Sequence, residues 1–254
     1  MTQNNPMNHC LVSIVGLTAS GKSAIGIKLA QLFNGEIISA DSRQVYRGLD
    51  IGSAKVTPTE RKLVRHHLLD IVQPMQPFDV FSFQQLANQA IIDICARGKL
   101  PIIVGGTGLY SRAVVEGYSF DNRQTNTAHT VRPCLQIALL PPKDWLRPRI
   151  EQRNKQRLAD GNLDETKNLL ASGVTQQWLQ TLGLDYYWNV ELVLGRITQE
   201  EYLYWLTTKT MQYAKRQRTW FKREKNTIFL ENPDTFETDC IALVQDFLLN
   251  NKVN

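Results

Sequence analysis

Residues 16–23 read GLTASGKS, which matches the phosphate-binding pattern GxxxxGK followed by serine or threonine. The apolar stretch Cys10–Val15 precedes this loop and predicts a buried strand. The residues after the loop, Ala24–Phe33, have the apolar spacing of a helix. A strand before the loop and a helix after it are the setting in which this pattern binds phosphate. The sequence therefore predicts a strand, a phosphate loop and a helix at the start of the fold.

The chemistry of the loop favours an anionic ligand. The backbone N–H groups of such a loop and the N-terminus of the helix after it converge on one anion. Lys22 would add a full positive charge, and the Ser23 hydroxyl is placed to ligate Mg²⁺. We predict that the whole loop binds phosphate groups, through Gly16, Leu17, Thr18, Ala19, Ser20, Gly21, Lys22 and Ser23. The pattern leaves open whether these phosphates belong to a nucleoside triphosphate or to another di- or triphosphate.

Two further predicted strands end on polar residues. Glu36–Ala40 is followed by Asp-Ser-Arg-Gln at 41–44, and Leu100–Val104 is followed by Gly-Gly-Thr-Gly at 105–108. Ligands of parallel sheets bind beyond the carboxyl ends of the strands. We therefore expect these polar residues to lie beside the phosphate loop.

Helices are predicted between and after these strands. Phe81–Arg97 has helical spacing, with Ser82 as its N-cap, and a long periodic segment over Gln199–Arg223 is capped by Thr198. Strands that alternate with helices of this length predict an α/β fold. We expect a P-loop NTPase-like parallel sheet flanked by helices, with a helical C-terminal half.

Residues 118–132 interrupt this pattern, because they are polar and have neither helical nor strand periodicity. We interpret them as a connector. Leu135–Leu140 after it predicts one more strand, and the chain from Lys143 onward is mostly helical. We expect one domain over residues 1–254, in which 118–132 joins the two halves.

The composition excludes several classes of protein. The 254 residues are 43% hydrophobic and include only 15 glycines and 10 prolines, which excludes wholesale disorder and a collagen-like chain. No apolar run has the length of a membrane-spanning helix, and residues 1–8 lack the apolar core of a secretory signal. We expect a soluble, cytoplasmic protein without a membrane partner. Four dispersed cysteines are expected to be reduced thiols: Cys10, Cys95, Cys134 and Cys240.

The net charge of +5 is concentrated in two basic runs. Between residues 143 and 157 there are six cations and two carboxylates, and between 215 and 225 there are six cations and one carboxylate. A basic run can be a solvated helix face or the footprint of an anionic partner such as a nucleic acid. Both interpretations stay open at this point.

Five sequence blocks, in order along the chain, resemble the tRNA dimethylallyltransferases, also called isopentenyl-tRNA transferases. The blocks are GLTASGKS at 16–23, DSRQVYRGLDIGSAK at 41–55, HHLLDI at 66–71, PIIVGGTGLY at 101–110 and YAKRQRTWF at 213–221. Enzymes of this family attach a five-carbon prenyl group from dimethylallyl diphosphate to an adenosine beside the anticodon. The resemblance implies a P-loop fold and a transferase activity of this type.

The resemblance also implies roles for residues at matching positions. Lys22 and Ser23, with Thr18 and Ser20, would hold the diphosphate of dimethylallyl diphosphate with the help of Mg²⁺. Asp41 would accept a proton from the exocyclic amine of the adenine.

Further positions in the family blocks would contact the RNA or the nucleotide, and they are Asp41, Ser42, Arg43, Gln44, Thr107, Arg216 and Arg218. Among these, Thr107 would lie at the mouth of the substrate channel, and Arg216 and Arg218 near the active site and the RNA. The implied partner is the anticodon stem-loop of tRNA, bound by a monomer.

The chain departs from the family pattern at several places. Leu17 and Val56 stand where the family usually has proline, and Gly183–Trp188 replaces a block that resembles GYKE. Residues 118–132 are too few for the helical insertion with which family members hold the anticodon stem-loop. A shortened form resembles the related adenylate isopentenyltransferases of cytokinin synthesis, which use free AMP, ADP or ATP. The sequence is also compatible with a P-loop kinase or ATPase and with a non-catalytic RNA-binding protein.

Overall fold

The computed structural model describes residues 10–117 and 132–251, which form a sheet covered by helices. The strands are β1 (Leu11–Gly16), β2 (Gly35–Ser39), β3 (His66–His67), β4 (Leu100–Gly105), β5 (Cys134–Leu139) and β6 (Thr227–Leu230). The helices are α1 (Lys22–Leu32), α2 (Pro58–Leu63), α3 (Val80–Ala96), α4 (Gly108–Val115), α5 (Lys143–Ala159), α6 (Asn162–Ala171), α7 (Gln176–Leu182), α8 (Leu184–Val193), α9 (Gln199–Phe221) and α10 (Phe236–Asn250). The predicted α/β fold is confirmed.

All pairs of neighbouring strands in these residues are parallel, in the order β3-β2-β4-β1-β5-β6. Strand β1 lies between β4 and β5, with Val12 beside Ile102 on one side and Leu135 on the other. Every residue of β1 is buried, as expected for an interior strand of a parallel sheet with helices on both faces. The loops after β1, β2 and β4 therefore open at the same edge of the sheet.

The two faces of the sheet are covered by different helices. Ile102 packs with Ile27 of α1 and Val244 of α10, whereas its neighbour Ile103 packs with Ile91 of α3. Successive side chains of a strand point to opposite faces. The sheet is thus the middle layer of three, which buries its apolar residues and leaves its carboxyl edge for polar loops.

The N-termini of α3 and α9 can be compared with the caps predicted from the sequence. The predicted N-cap Ser82 is wrong, because the carboxylate of Asp79 caps α3 by accepting the Ser82 N–H at 2.8 Å. Ser82 lies inside the first turn, where its N–H needs such an acceptor. The predicted cap Thr198 is confirmed, and it forms a reciprocal capping box with Glu201. Helix α9 ends at Phe221, two residues before the predicted end.

The C-terminal half is helical as predicted, since α5 to α9 follow one another between β5 and β6. The predicted connector at 118–132 lies outside the described residues except for Arg132, so it stays a prediction. Across residues 10–117 and 132–251, no helix combines the length and the apolar content that crossing a bilayer requires.

A buried carboxylate holds the edge of β2 in place. The Glu36 side chain is 2% exposed and accepts hydrogen bonds from Arg97 Nη2 at 2.6 Å and Lys99 Nζ at 3.0 Å. Its Oε2 atom also lies 2.7 Å from Nε2 of His67 in β3. Burial alone would raise the pKa of Glu36, but the hydrogen bonds from these three side chains outweigh it and lower the pKa to about 2.

Replacing Glu36 by glutamine should lower the free energy of unfolding at neutral pH by about 2 kcal/mol. A pKa lowered from 4.5 to about 2 corresponds to about 3 kcal/mol, reduced here because Arg97 and Lys99 are partly exposed. Since the folded pKa is the lower one, this stabilisation is present above about pH 4.5 and is lost as the pH falls towards about 2. Urea unfolding of both proteins, measured from neutral pH to about pH 3, should show that the difference between their free energies of unfolding becomes smaller in acid.

The matched control is Glu237→Gln, because the Glu237 side chain is 60% exposed and lies 3.9 Å from Lys28. This variant should unfold like the wild type, within about 0.5 kcal/mol. A stability gap for Glu36→Gln that does not change with pH would contradict the assignment of its effect to the carboxylate charge.

Candidate active site

The loop at 16–23 joins β1 to α1 in a conformation that favours glycine at two points. Gly16 has φ 139°, and a Cβ atom there would lie 2.3 Å from the Leu139 carbonyl oxygen of β5. Gly21 has φ 88° and is the N-cap of α1. The Ser20 hydroxyl is buried, and no described residue is within hydrogen-bond distance of it. An unpartnered buried hydroxyl in such a loop is a donor that an anion could use.

Lys22 lies against this loop, and its Nζ atom donates to the Leu17 carbonyl at 2.6 Å. Burial and the nearby Arg153 lower the pKa of Lys22 to about 7, although Asp41 acts in the opposite direction. Two cations held this close together repel each other. A bound anion would relieve that repulsion, so the arrangement favours a ligand with several negative charges.

Arg153 of α5 is a site residue that the sequence did not identify individually. Its Nη1 atom donates to Thr18 Oγ1 at 2.8 Å, across 135 residues of sequence. Burial and the neighbouring Arg157 lower its pKa to about 9. Its Nε atom is buried with no hydrogen-bond partner among the described residues. The basic run at 143–157 was a signal for such a role, but that run alone does not say which cation faces the loop.

Asp41 lies two residues after the end of β2, and backbone N–H groups of the following loop hold its side chain. Its Oδ1 atom accepts the N–H of Arg43 at 2.8 Å and that of Gln44 at 3.4 Å. The N–H of Ser42 donates to Thr107 Oγ1 at 3.2 Å, which ties this loop to the loop after β4. Because the loop N–H groups use Oδ1, Asp41 keeps Oδ2 for a ligand. The structure thus brings together the predicted residues Asp41, Ser42 and Thr107.

The side chains of Arg43 and Gln44 have structural partners. Arg43 Nε and Nη2 both donate to the Leu182 carbonyl, at 3.0 and 2.8 Å. Gln44 accepts from the Ser39 hydroxyl at 2.9 Å and donates to the carbonyl of Ser53 at 3.3 Å. These contacts hold α7 and the loop at 49–55 against the site. Contact of Arg43 or Gln44 with a target nucleotide stays a prediction.

Two adjoining cavities open at this edge of the sheet. The first, which we call the loop cavity, has a volume of about 350 Å³ and is lined by residues 18–24 of the phosphate loop and α1. The second, which we call the outer cavity, has a volume of about 740 Å³ and is lined by Ser42, Thr107 and residues of α8 and α9. Both cavities are lined by Asp41 and Arg153. Asp41 therefore lies where the loop cavity meets the larger outer cavity.

Helix α9 contacts both loops through Gln217, a second residue that the sequence did not identify. Its Oε1 atom accepts the Thr18 N–H at 2.8 Å, and its Nε2 atom donates to the Gly106 carbonyl at 2.9 Å. A Cβ atom at Gly106 would lie 2.6 Å from Nε2, so glycine is required for this approach. Gln217 fixes the phosphate loop relative to the loop that carries Thr107.

The two predicted arginines of α9 differ in their positions. Arg216 lines the outer cavity. Arg218 instead donates from Nη2 to the carbonyls of Leu140 and Pro141, and its Nη1 atom lies 3.4 Å from Glu231. The structure therefore places Arg216 but not Arg218 beside the other candidate residues, and a role of Arg218 in binding RNA stays a prediction.

A buried ion pair lies beside the two cavities. Arg157 Nη1 lies 2.8 Å from Asp185 Oδ1, and both side chains are less than 10% exposed. Asp185 belongs to the block at 183–188 that departs from the family pattern. The pair holds α5 against α8.

The fold and the site define a class of protein. It is a P-loop protein in which a carboxylate, Asp41, lies between the cavity at the P-loop and a second, larger cavity. Comparisons with known proteins narrow this class. The IPP transferase family model matches residues 44–136 and 119–224, and the isopentenyl transferase model matches residues 9–75. The chain is 39% identical to tRNA dimethylallyltransferase 2 of Shewanella sediminis, over 85% of this chain and 90% of that protein. It belongs to the tRNA dimethylallyltransferase family.

Solved structures agree with this assignment. The tRNA isopentenylpyrophosphate transferase of Bacillus halodurans is similar with a TM-score of 0.84 and 31% identity, over 96% of this chain and 98% of that chain. The corresponding enzyme of Staphylococcus epidermidis has a TM-score of 0.82 and 29% identity, over 94% of this chain and 99% of that chain. The alignment with the Shewanella protein is 271 residues long, although it includes only 85% of the 254 residues of this chain. That relative therefore contains residues without a counterpart in this chain.

Proposed function

We propose that this protein transfers the dimethylallyl group of dimethylallyl diphosphate to the exocyclic amine of the adenosine next to the anticodon in tRNA. One observation carries this proposal: the Asp41 carboxylate lies where the loop cavity meets the outer cavity. A diphosphate in the loop cavity and a base in the outer cavity would then meet at this carboxylate. Family membership supplies the reaction type.

The loop cavity would bind the diphosphate and stabilise its departure. In the reaction the bond between C1 of the allyl group and the diphosphate oxygen breaks, and its electron pair goes to the diphosphate. Negative charge therefore develops on the leaving oxygens, where preorganised cations are most effective. Lys22 and Arg153 are the cations at this loop. Ser20 would add its hydroxyl, which has no other described partner.

The residues present fit a Mg²⁺ ion that binds together with a diphosphate. Mg²⁺ takes one or two protein oxygens and completes its shell with phosphate oxygens and water. Ser23 lines the loop cavity and supplies a hydroxyl oxygen. In the part of the chain that the structure describes, no group of three or more His, Cys, Asp or Glu side chains is arranged to hold a metal ion. A bound diphosphate would therefore provide most of the ligands. The ion would neutralise charge on the leaving group.

Asp41 would take up the proton from the acceptor amine. The N6 atom of adenine forms the new bond to C1 and loses one proton, which passes to a carboxylate oxygen of Asp41. The loop N–H groups hold Oδ1, so Oδ2 is the oxygen that we assign to the proton. A positioned base of this kind contributes about 10²–10⁴-fold to a rate.

The outer cavity would receive the adenosine. It is lined by Thr107 and Ser42 on the sheet side and by Tyr213 and Arg216 on α9. An aromatic ring and hydrogen-bonding side chains are the groups that bind an unstacked base. To enter, the adenosine has to leave the stack of the anticodon loop.

Relatives with tRNA in their names favour tRNA over the free-nucleotide reaction and over a P-loop kinase. We infer that the anticodon stem-loop is the part of the tRNA that binds, and that the protein acts as a monomer in the cytoplasm.

A labelling experiment tests the acceptor. The protein is incubated with Mg²⁺ and labelled dimethylallyl diphosphate, together with unmodified tRNA, AMP or ATP in separate reactions. We expect label in tRNA and none in AMP or ATP, because the relatives that this chain matches are named as transferases of tRNA. A matched tRNA with guanosine in place of the adenosine next to the anticodon should stay unlabelled. Labelling of AMP in preference to tRNA would establish the free-nucleotide reaction instead.

A further inference from the structure

An exposed group of aromatic side chains lies where α8 meets α9. The rings of Trp188 and Trp205 are parallel, with 6° between their planes and 5.8 Å between their centres. Tyr187 contacts Trp188 edge-on at 5.0 Å, and Tyr204 contacts Trp205 in the same way at 5.1 Å. We call these four residues the aromatic patch. Packing of α8 on α9 accounts for contacts between the rings, but it does not require Tyr204 to be 62% exposed and Trp205 38% exposed.

The aromatic patch continues the lining of the outer cavity. Tyr187 and Trp188 line that cavity, and Trp205 extends the surface outward from Trp188. Lys209 also lines the cavity, with its Nζ atom 5.8 Å from the centre of the Trp205 ring. Trp205, Lys209 and Arg216 lie at positions i, i+4 and i+11 of α9, so they share one face of the helix. One surface thus runs from exposed aromatic rings past two cations into the site.

We propose that the aromatic patch is a stacking platform for an unpaired RNA base next to the adenosine that enters the outer cavity. This inference rests on the proposed function, because it assigns a second subsite for the same RNA. A base stacks on an aromatic ring through a π-face that every base has, and nearby cations contact its phosphates. Lys209 provides such a cation at Trp205. From Trp205 to Tyr213 the helix rises about 12 Å, a span that neighbouring nucleotides of one strand cover.

The charge of this surface favours RNA over a protein partner. The cations at Lys209 and Arg216 face the cavity, and the nearby carboxylate Asp185 is paired with Arg157.

The first test compares variants of Trp205 for binding of a fluorescently labelled anticodon stem-loop RNA. Trp205→Ala should raise the Kd for this RNA about tenfold, because stacking on one aromatic ring is lost. Trp205→Phe keeps a ring and should restore most of the affinity. Phe229→Ala is the matched control, since Phe229 of β6 is 40% exposed and lies outside the patch. In prenyl transfer, Trp205→Ala should raise the KM for RNA and leave kcat within about twofold of the wild type.

The second test identifies the base that stacks. Stem-loops are prepared with an abasic site directly before or directly after the target adenosine. One of them should bind the wild type about tenfold more weakly than the intact RNA, yet bind Trp205→Ala with no further loss. A loss that is equal in both proteins for each abasic RNA would overturn the proposal.

Prenyl transfer tests the proposed function, and the Kd for RNA tests the stacking platform, so the failure of one is distinguishable from the failure of the other. If the wild type prenylates none of the RNAs, the proposed function fails, while the Kd values still decide on the platform. An RNA Kd for Trp205→Ala within about twofold of the wild type overturns the platform whatever the activity.

Discussion

Lys22→Ala should lower the rate of prenyl transfer by about 10²–10³ at saturating substrates, because it removes one preorganised cation from the developing diphosphate charge. The Nζ atom of Lys22 is held against the phosphate loop by the Leu17 carbonyl, so the amine is in position to carry a positive charge beside a bound diphosphate. Arg153 stays bound to Thr18 in the variant, which is why we expect a reduced rate rather than no reaction. Single-turnover measurement of prenyl transfer checks the size of this effect.

The control for this variant is Lys28→Ala. Lys28 lies on the same helix α1 and is exposed, with Glu237 at 3.9 Å as its ion-pair partner. Removing it should leave the rate within about twofold, since surface ion pairs contribute little. Thermal unfolding of both variants shows whether α1 is intact. A rate for Lys22→Ala within about threefold of the wild type would contradict the assigned role.

The arrangement of the site around the loop at 16–23 could largely be predicted, because its signals are local in the sequence. The loop at 16–23 carries its own strand and helix, and a parallel sheet brings the loops after its strands to one edge. The positions of Asp41 and Thr107 beside that loop follow from this rule once the strands are identified. The hydrogen bond between Ser42 and Thr107 joins these loops as expected.

The residues that α5 and α9 contribute to the site could not be predicted in the same way. Their positions depend on how helices far along the chain pack, and local sequence patterns do not encode that packing. Gln217 reaches Thr18 across 199 residues, and Arg153 reaches the same residue across 135. Helical spacing says which residues share a face, but not which loop that face meets. For the same reason the block at 213–221 predicted both Arg216 and Arg218, although α9 directs only Arg216 to the outer cavity.

Asp41→Asn should lower turnover by about 10²–10⁴ with little change in donor affinity, because an amide cannot take up the proton of the acceptor amine. The substitution preserves the local structure, since the amide oxygen can still accept the N–H groups of Arg43 and Gln44 that Oδ1 accepts now. The loop, and with it the Ser42 contact to Thr107, should stay as it is. A change in rate can therefore be assigned to the lost carboxylate.

Two measurements separate a base from a metal ligand at this position. Turnover is measured with tRNA and dimethylallyl diphosphate, and the Kd for inorganic diphosphate is measured with and without Mg²⁺. If Asp41 acts as the base, its asparagine variant binds diphosphate like the wild type and only turnover falls. If diphosphate affinity in Mg²⁺ falls in proportion to turnover, Asp41 holds the ion and the base lies elsewhere. Asp93→Asn, an exposed carboxylate on α3 whose Oδ1 accepts from Gln89, is the matched control and should change neither quantity.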